Sequence, residues 1–275
     1  MAVVGTKTGA DRVFTVVNGI VVSTFLLLVA YPLIYVLAAS FSDAHAVISG
    51  RVWLFPVGFN LKGYTAVFEE PMVLTGYANS IFYMTVGTTA NVVCTIMAAY
   101  PLSRSDFPDR NLFMGMFVFT MMFNGGLIPL YLLVRGLGLI DSRAALILPT
   151  LVGVWNVIIA RTYFQTTIPK ELLEAAQMDG CTDFRFVRSV VIPLSGPIIA
   201  VITLFYAVQH WNTFFHALIF LKSEEKFPLQ LVLRDILVEN QSAAQMADMD
   251  VETQILRQQL RELLKYSLII VASVP

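Results

Sequence analysis

Few residues of this chain have types and spacings that could do chemistry, and most of them are amides. The stretch Gln209-His210-Trp211-Asn212 places two amides, an imidazole and an indole side by side in an apolar run. Asn79, Asn91 and Asn156 each interrupt other apolar runs. Polar groups within lipid-crossing segments are costly and usually face a protein interior or a water path. Amides beside an aromatic face suit a sugar, so all these residues are candidates for a substrate path, with Asn212 and Trp211 foremost. Adjacent helical residues do not share a face, so only some of Gln209 to Asn212 can line one path. Interhelical hydrogen bonding is the plainer role for each of them.

Catalysis and metal binding find little support. His210 and His216 are not spaced as a helical metal pair, and His45 lies in a loop. There is no His-Glu-x-x-His, no Gly-x-Ser-x-Gly elbow and no Gly-x4-Gly-Lys-Ser/Thr phosphate cradle. The expectation is a chain with no catalytic residue, no metal and no cofactor of its own. Asp106, Asp109 and Arg110 read as a solvated turn.

A second kind of feature is the amphipathic stretch ELLEAAQMDG, Glu171 to Gly180. Pro169 stands where a helix can begin and Gly180 where one can end in a left-handed cap. Thr182 can cap a further short helix through Val190, and Pro193 forbids its smooth continuation. The result is a helix-turn-helix bracket. Leu172, Leu173, Ala175, Ala176, Phe184 and Val187 offer it apolar surface, while Glu174 and Asp179 supply anionic points for a basic partner.

The elements around these residues are membrane elements. Apolar residues make up 57% of the 275 positions and charged residues only 13%, against about 45–50% and about 25% in soluble domains. Continuous apolar runs, rather than alternating ones, specify helices. Five runs are long enough to cross, at 14–41, 77–102, 112–134, 144–164 and 194–221, and a sixth begins at Tyr266. That last run stops at Pro275, too short to cross, so the reading is a sixth helix lacking on the order of 10–20 residues. Asn124-Gly125-Gly126 and Pro129 predict a bend in the third span. After Asp250, the spacing of Val251, Ile255, Leu260, Leu263 and Leu264 predicts a short amphipathic helix. Cys94 and Cys181 are not expected to pair.

With the N-terminus cytoplasmic, the inner segments hold Lys7, Arg12, Arg104, Arg110, Arg161, Lys170, Arg185 and Arg188, against Arg51, Lys62, Arg135 and Arg143 in the first two outer loops. That agrees with the positive-inside rule. The third outer loop, 222–265, adds six further cations and reverses the raw count. A net charge of -1 excludes a nucleic-acid footprint. The chain is read as one domain, with a coupling loop at 165–192 and outer loops at 42–76 and 222–265.

Glu174-Ala175-Ala176, then Gly180, Val190, Ile192 and Pro193, resembles the EAA loop of binding-protein-dependent ABC importer permeases, with Val190 and Ile192 standing for the usual Ile and Leu. AAYPLSR (98–104), NGGLIPLYLLV (124–134) and QHWNTFF (209–215) are similar to carbohydrate permeases of the maltose-type class, and the third-span motif to its oligosaccharide and alginate subgroup. The resemblance covers nearly the whole chain. It implies an all-α membrane protein with six transmembrane helices of the MetI-like type in the bacterial cytoplasmic (inner) membrane. The implied function is a permease subunit importing an oligosaccharide. The implied partners are a second permease in a heterodimer, two ATPase subunits that use ATP and Mg, and an extracytoplasmic solute-binding protein docking on the outer loops. Glu174, Ala175, Ala176, Asp179 and Gly180 would couple to the ATPase. The competing class is a self-contained secondary transporter or channel, with the asparagines and His210 as an ion route; against it, the spans hold almost no acids, which proton relays need.

Overall fold

A computed structural model of the chain describes residues 9–242 and 263–273. It is helical throughout the spans, and the backbone gathers into two compact units, 1–71 with 235–275, and 72–234. The amphipathic helix expected after Asp250 falls largely outside the described residues.

In the first unit, helix Gly9–Ser40 is apolar and almost bare along its length, with buried residues only at Ala38, Ala39 and Ser40. Such an all-round apolar helix is suited to lipid. Its end is fixed by a hydrogen bond between Ser40 Oγ and Tyr64 Oη (2.9 Å). Tyr35 meets Tyr266 of the short helix Leu263–Ser273 edge-on at 5.9 Å. Gly63 is required there, because a Cβ would lie 2.3 Å from Ser267 Oγ.

The second unit contains Pro71–Ser103, long and apolar enough to cross a membrane, and three pairs of shorter helices. Arg110–Met122 and Leu127–Gly136 meet at 112°, Ala144–Thr150 and Val154–Thr167 at 51°, and Asp183–Leu194 and Gly196–Trp211 at 85°. Two helices therefore qualify as straight spans among the described residues, and five spans result if each bent pair counts as one.

The 112° bend lies at Asn124-Gly125-Gly126, as the residues there predict. Asn124 Oδ1 accepts from the Gly126 amide at 2.9 Å. Gly126 has φ +85° and ψ 179°, a conformation essentially reserved for glycine. Pro129 then falls in the first turn of the next helix, where a missing N–H costs nothing.

The 51° break was not expected from the apolar pattern. It frees backbone groups at Thr150, Leu151 and Gly153, and buried side chains satisfy them. Asn91 Nδ2 donates to the carbonyls of Thr150 (2.6 Å) and Leu151 (3.1 Å), and the Gly153 amide donates to Tyr206 Oη (3.0 Å), itself bonded to Thr95 Oγ1 (2.7 Å). Broken helices survive at membrane depth only when protein or water completes such bonds.

Candidate coupling loop and polar spans

The bracket forms with the ends its residues predict. Helix Lys170–Met178 follows Pro169. At its other end the amides of Gly180 and Cys181 bond to the carbonyls of Gln177 (3.0 Å) and Ala176 (2.9 Å), with Gly180 at φ +69°. These two bonds make a Schellman cap. Thr182 Oγ1 accepts from the Arg185 amide and caps the next helix.

One expectation needs correction. Pro193 does not end that second helix. A π turn over Val187–Val191 carries the chain through to Leu194, and the widened turn accommodates a residue that lacks an N–H and crowds the carbonyl four positions back. The direction changes only at Ser195 and Gly196.

The two faces of Lys170–Met178 have different fates. Leu173 and Ala176 pack on a core cluster that includes the buried Phe186 and Val191, as do Cys181, Val187 and Val190. Glu171, Glu174, Ala175 and Met178, at positions i, i+3, i+4 and i+7, are all exposed. Met178 is 89% exposed and Phe184 79%. Of the predicted coupling residues, Glu174 and Ala175 thus occupy the outer face, Ala176 turns inward, and Asp179 and Gly180 form the cap. Met178 shares this exposed face and was not singled out from the sequence, although its spacing from Glu174 and Ala175 was the available signal.

One arginine ties the bracket to a neighbouring span, and two more brace the residues beside it. Arg104 pairs with both Asp106 and Asp183. Arg161 Nε donates to the Leu102 carbonyl at 2.9 Å, and Arg110 Nη1 to the Arg104 carbonyl at 3.1 Å. Hydrogen bonding to Arg104 holds the Asp106 carboxyl below its ordinary value, and the bond to Asp106 raises Arg104 in turn. The segment read as a solvated turn is one, with Asp106 and Asp109 exposed; it also carries the Arg104–Asp106 ion pair and a left-handed Asp109 at φ 56°.

The polar residues of the spans divide into two groups. His210 is 1% exposed, and its Nε2 bonds Asn91 Oδ1 at 2.8 Å. Because the Asn91 amide nitrogen already serves two carbonyls, its oxygen must accept, which places the imidazole proton on Nε2. Asn79 Nδ2 donates to the carbonyls of Glu225 (2.7 Å) and Phe227 (3.1 Å), and its oxygen accepts from Arg143 Nη2 (3.1 Å). Asn156 is buried beside Gly153. Trp211 is nearly buried, edge-on to Tyr77 at 5.6 Å. Gln209 and Asn212, three positions apart, are exposed, and Asn212 Nδ2 donates to the Val208 carbonyl at 2.9 Å as the helix ends.

Beyond the spans, the start of the loop at 222–265 is ordered. Asp141 Oδ1 accepts from the amides of Lys222 (3.0 Å) and Ser223 (2.9 Å), and its other oxygen accepts from Ser223 Oγ (2.5 Å) and Lys226 Nζ (3.1 Å). These bonds, Ser223 Oγ–H foremost, hold the Asp141 carboxyl far below its ordinary value. Ser80 Oγ accepts from the Leu229 amide (2.8 Å) as a further helix, Leu229–Ser242, begins. No group of three or more potential metal ligands occurs among the described residues.

Residues 90–249, more than half of the chain, match the family described as binding-protein-dependent transport system inner membrane component. The chain belongs to this family. Protein LplC of Bacillus subtilis is 40% identical over 232 residues, 84% of this chain and 78% of its own. The polygalacturonan/rhamnogalacturonan transport system permease protein YtcP of the same organism is 42% identical over 214 residues, 78% and 74% of the two chains. A solved structure of a bacterial ABC transporter involved in the import of the acidic polysaccharide alginate contains a chain 34% identical, with a TM-score of 0.87, 98% of this chain and 95% of that chain being covered. This binding-protein-dependent family member is a multi-pass α-helical permease subunit of an ABC importer, not a catalytic enzyme.

Proposed function

We propose that this permease carries fragments of an acidic polysaccharide across the cytoplasmic membrane, driven by partner ATPase subunits that seat the Lys170–Met178 helix in a groove. The observation that carries the coupling half is that helix's exposed face. Glu171 and Glu174 give it charge, Ala175 permits close approach, and Met178 gives it an apolar anchor. The helix has fixed ends and sits between two bent spans, so a partner that moves it moves them as bodies. The substrate class is supported by relatives whose names specify polygalacturonan, rhamnogalacturonan and alginate.

On this reading the N-terminus is cytoplasmic, and six spans arise from the two straight helices, the three bent pairs and the segment containing Leu263–Ser273. The partners are a second permease, two ATPases using ATP and Mg, and a solute-binding protein on the outer loops. Gln209, Asn212 and Trp211 remain the path candidates. Asn79, Asn91, Asn156 and His210 act behind them as supports, because their side chains are buried and three of the four are committed to internal bonds.

The test is Glu174→Ala in the reconstituted importer with its binding protein. Membrane insertion and thermal stability should hold, while substrate-stimulated ATP hydrolysis falls about tenfold, as expected for loss of a charge-assisted contact of about 1.5 kcal/mol. Unchanged stimulated turnover would sink the coupling assignment.

A further inference from the structure

The third span breaks differently from the fourth. At the 51° break, Asn91 and Tyr206 reach in from other helices and complete the freed backbone groups. At the 112° break one side chain does so, and only locally, where Asn124 takes the Gly126 amide. The carbonyls of Met121 to Gly125 and the amides of Asn124, Gly125, Leu127 and Ile128 form no hydrogen bond with any described residue. Residues 121–129 are all exposed.

This bare stretch is not at an end of the span. Before it, Met114, Phe117 and Val118 pack on the cluster that also takes Leu173 and Ala176 of the bracket. After it, Leu130, Tyr131 and Val134 pack on a second cluster with Phe220 and Leu221, where the 222–265 loop begins. The break therefore runs between the inner and outer clusters. Unpaired backbone is costly against lipid, and within a span it persists only against protein or water.

The chemistry of the break says which. Free donors and free acceptors stand side by side, and hydroxyl groups are both at once. A neighbouring apolar span, whose own backbone is already bonded, offers neither. Phe119 and Phe123 stack at 4.5 Å beside these groups and are 58% and 67% exposed. Gly126 has open space where a Cβ would stand, so a ligand can approach the main chain closely.

We infer that this break is a sugar subsite on the water-filled path. A pyranose unit of the transported oligosaccharide lays its C–H face on Phe123, and its hydroxyls bond the bare backbone from Phe123 to Gly126, a pairing of apolar wall and placed backbone groups common in ligand sites. The inference rests on the importer reading above and adds main-chain groups of the third span to the path candidates Gln209, Trp211 and Asn212.

The experiment uses the complete importer with its binding protein in nanodiscs, in a background of Cys94→Ala and Cys181→Ser. Phe123→Cys and, at a second position, Ile128→Cys are treated with a charged methanethiosulfonate, and labelling of this chain is read by intact-mass spectrometry. Leu26→Cys, on the bare first helix, is the reference. A thiolate forms readily only near water, so both test positions should label at least about tenfold faster than the reference. An oligogalacturonate or an alginate oligomer, whichever stimulates ATP hydrolysis by the wild type, should slow that labelling about threefold when trapped with ATP and vanadate, relative to the same trap without sugar. Labelling no faster than the reference would overturn the inference and place the second permease or lipid over the break. Fast labelling that sugar leaves unchanged would overturn the sugar contact. Stimulated ATP hydrolysis by the cysteine variants is followed in parallel, so a working importer with an unreactive break refutes this subsite and leaves the importer reading standing.

Discussion

The Lys170–Met178 bracket and the cluster around Asn91 put their polar residues to opposite ends. Around Asn91, every polar atom of Asn91 is used, His210 and Tyr206 are buried, and the bonds complete a broken span. On the outer face of Lys170–Met178, two carboxylates and a thioether stand in solvent. A polar group in lipid must find a partner within the protein, whereas one on a loop can wait for a partner from outside. Burial with full bonding therefore marks support, and exposure on a rigid element marks contact.

The comparison breaks most readily at Asn91. Asn91→Leu should leave two carbonyls and an imidazole unsatisfied and destabilise the protein by about 3 kcal/mol, read as a lower melting temperature in detergent with little folded material at high temperature. A variant that melted normally but transported a different sugar would turn Asn91 into a path residue and dissolve the distinction.

A smaller effect is expected at Met178. Because nothing among the described residues covers it, Met178→Ser should leave the melting temperature within the range of ordinary surface substitutions, about 0.5 kcal/mol. Its association with the ATPase should weaken about tenfold, since burying a methionine contributes roughly 1.5–3 kcal/mol. Binding measured by pull-down titration at wild-type strength would confine the contact to Glu171 and Glu174.

The smallest effect concerns Asp141, a bonded carboxylate at the surface. Its folded-state pKa lies below its unfolded value, so its contribution is present above about pH 4 and is lost as pH falls below that. Hydrogen exchange of the amides of Lys222 and Ser223 should accelerate in acid beyond the intrinsic rate, and Asp141→Asn should remove that dependence. PH-independent protection in the wild type would show that Ser80 and Asn79 alone hold the segment.

Much of the bracket could be read from residues near one another in the chain. Pro169, Gly180 and Thr182 set helix ends through their own backbone preferences, and Asn124 to Gly126 set the 112° bend in the same way. The same local reasoning failed at Pro193, where a π turn absorbs the missing N–H, and at the break before Val154, where an apolar sequence conceals freed carbonyls. It also missed the Leu229–Ser242 helix, whose first amide bonds to Ser80 and whose lead-in at 222–227 is held by Asn79 and Asp141, all far off in sequence.

Amino-acid types alone determined that this chain lives in a membrane, which runs can cross it, and where a capped helix interrupts them, because hydropathy and capping act over a few residues. Only the tertiary structure decided which asparagines are supports and which side of Lys170–Met178 is free. Asn91 meets Thr150 across 59 positions and His210 across 119, and no local propensity carries information over such a distance; packing does.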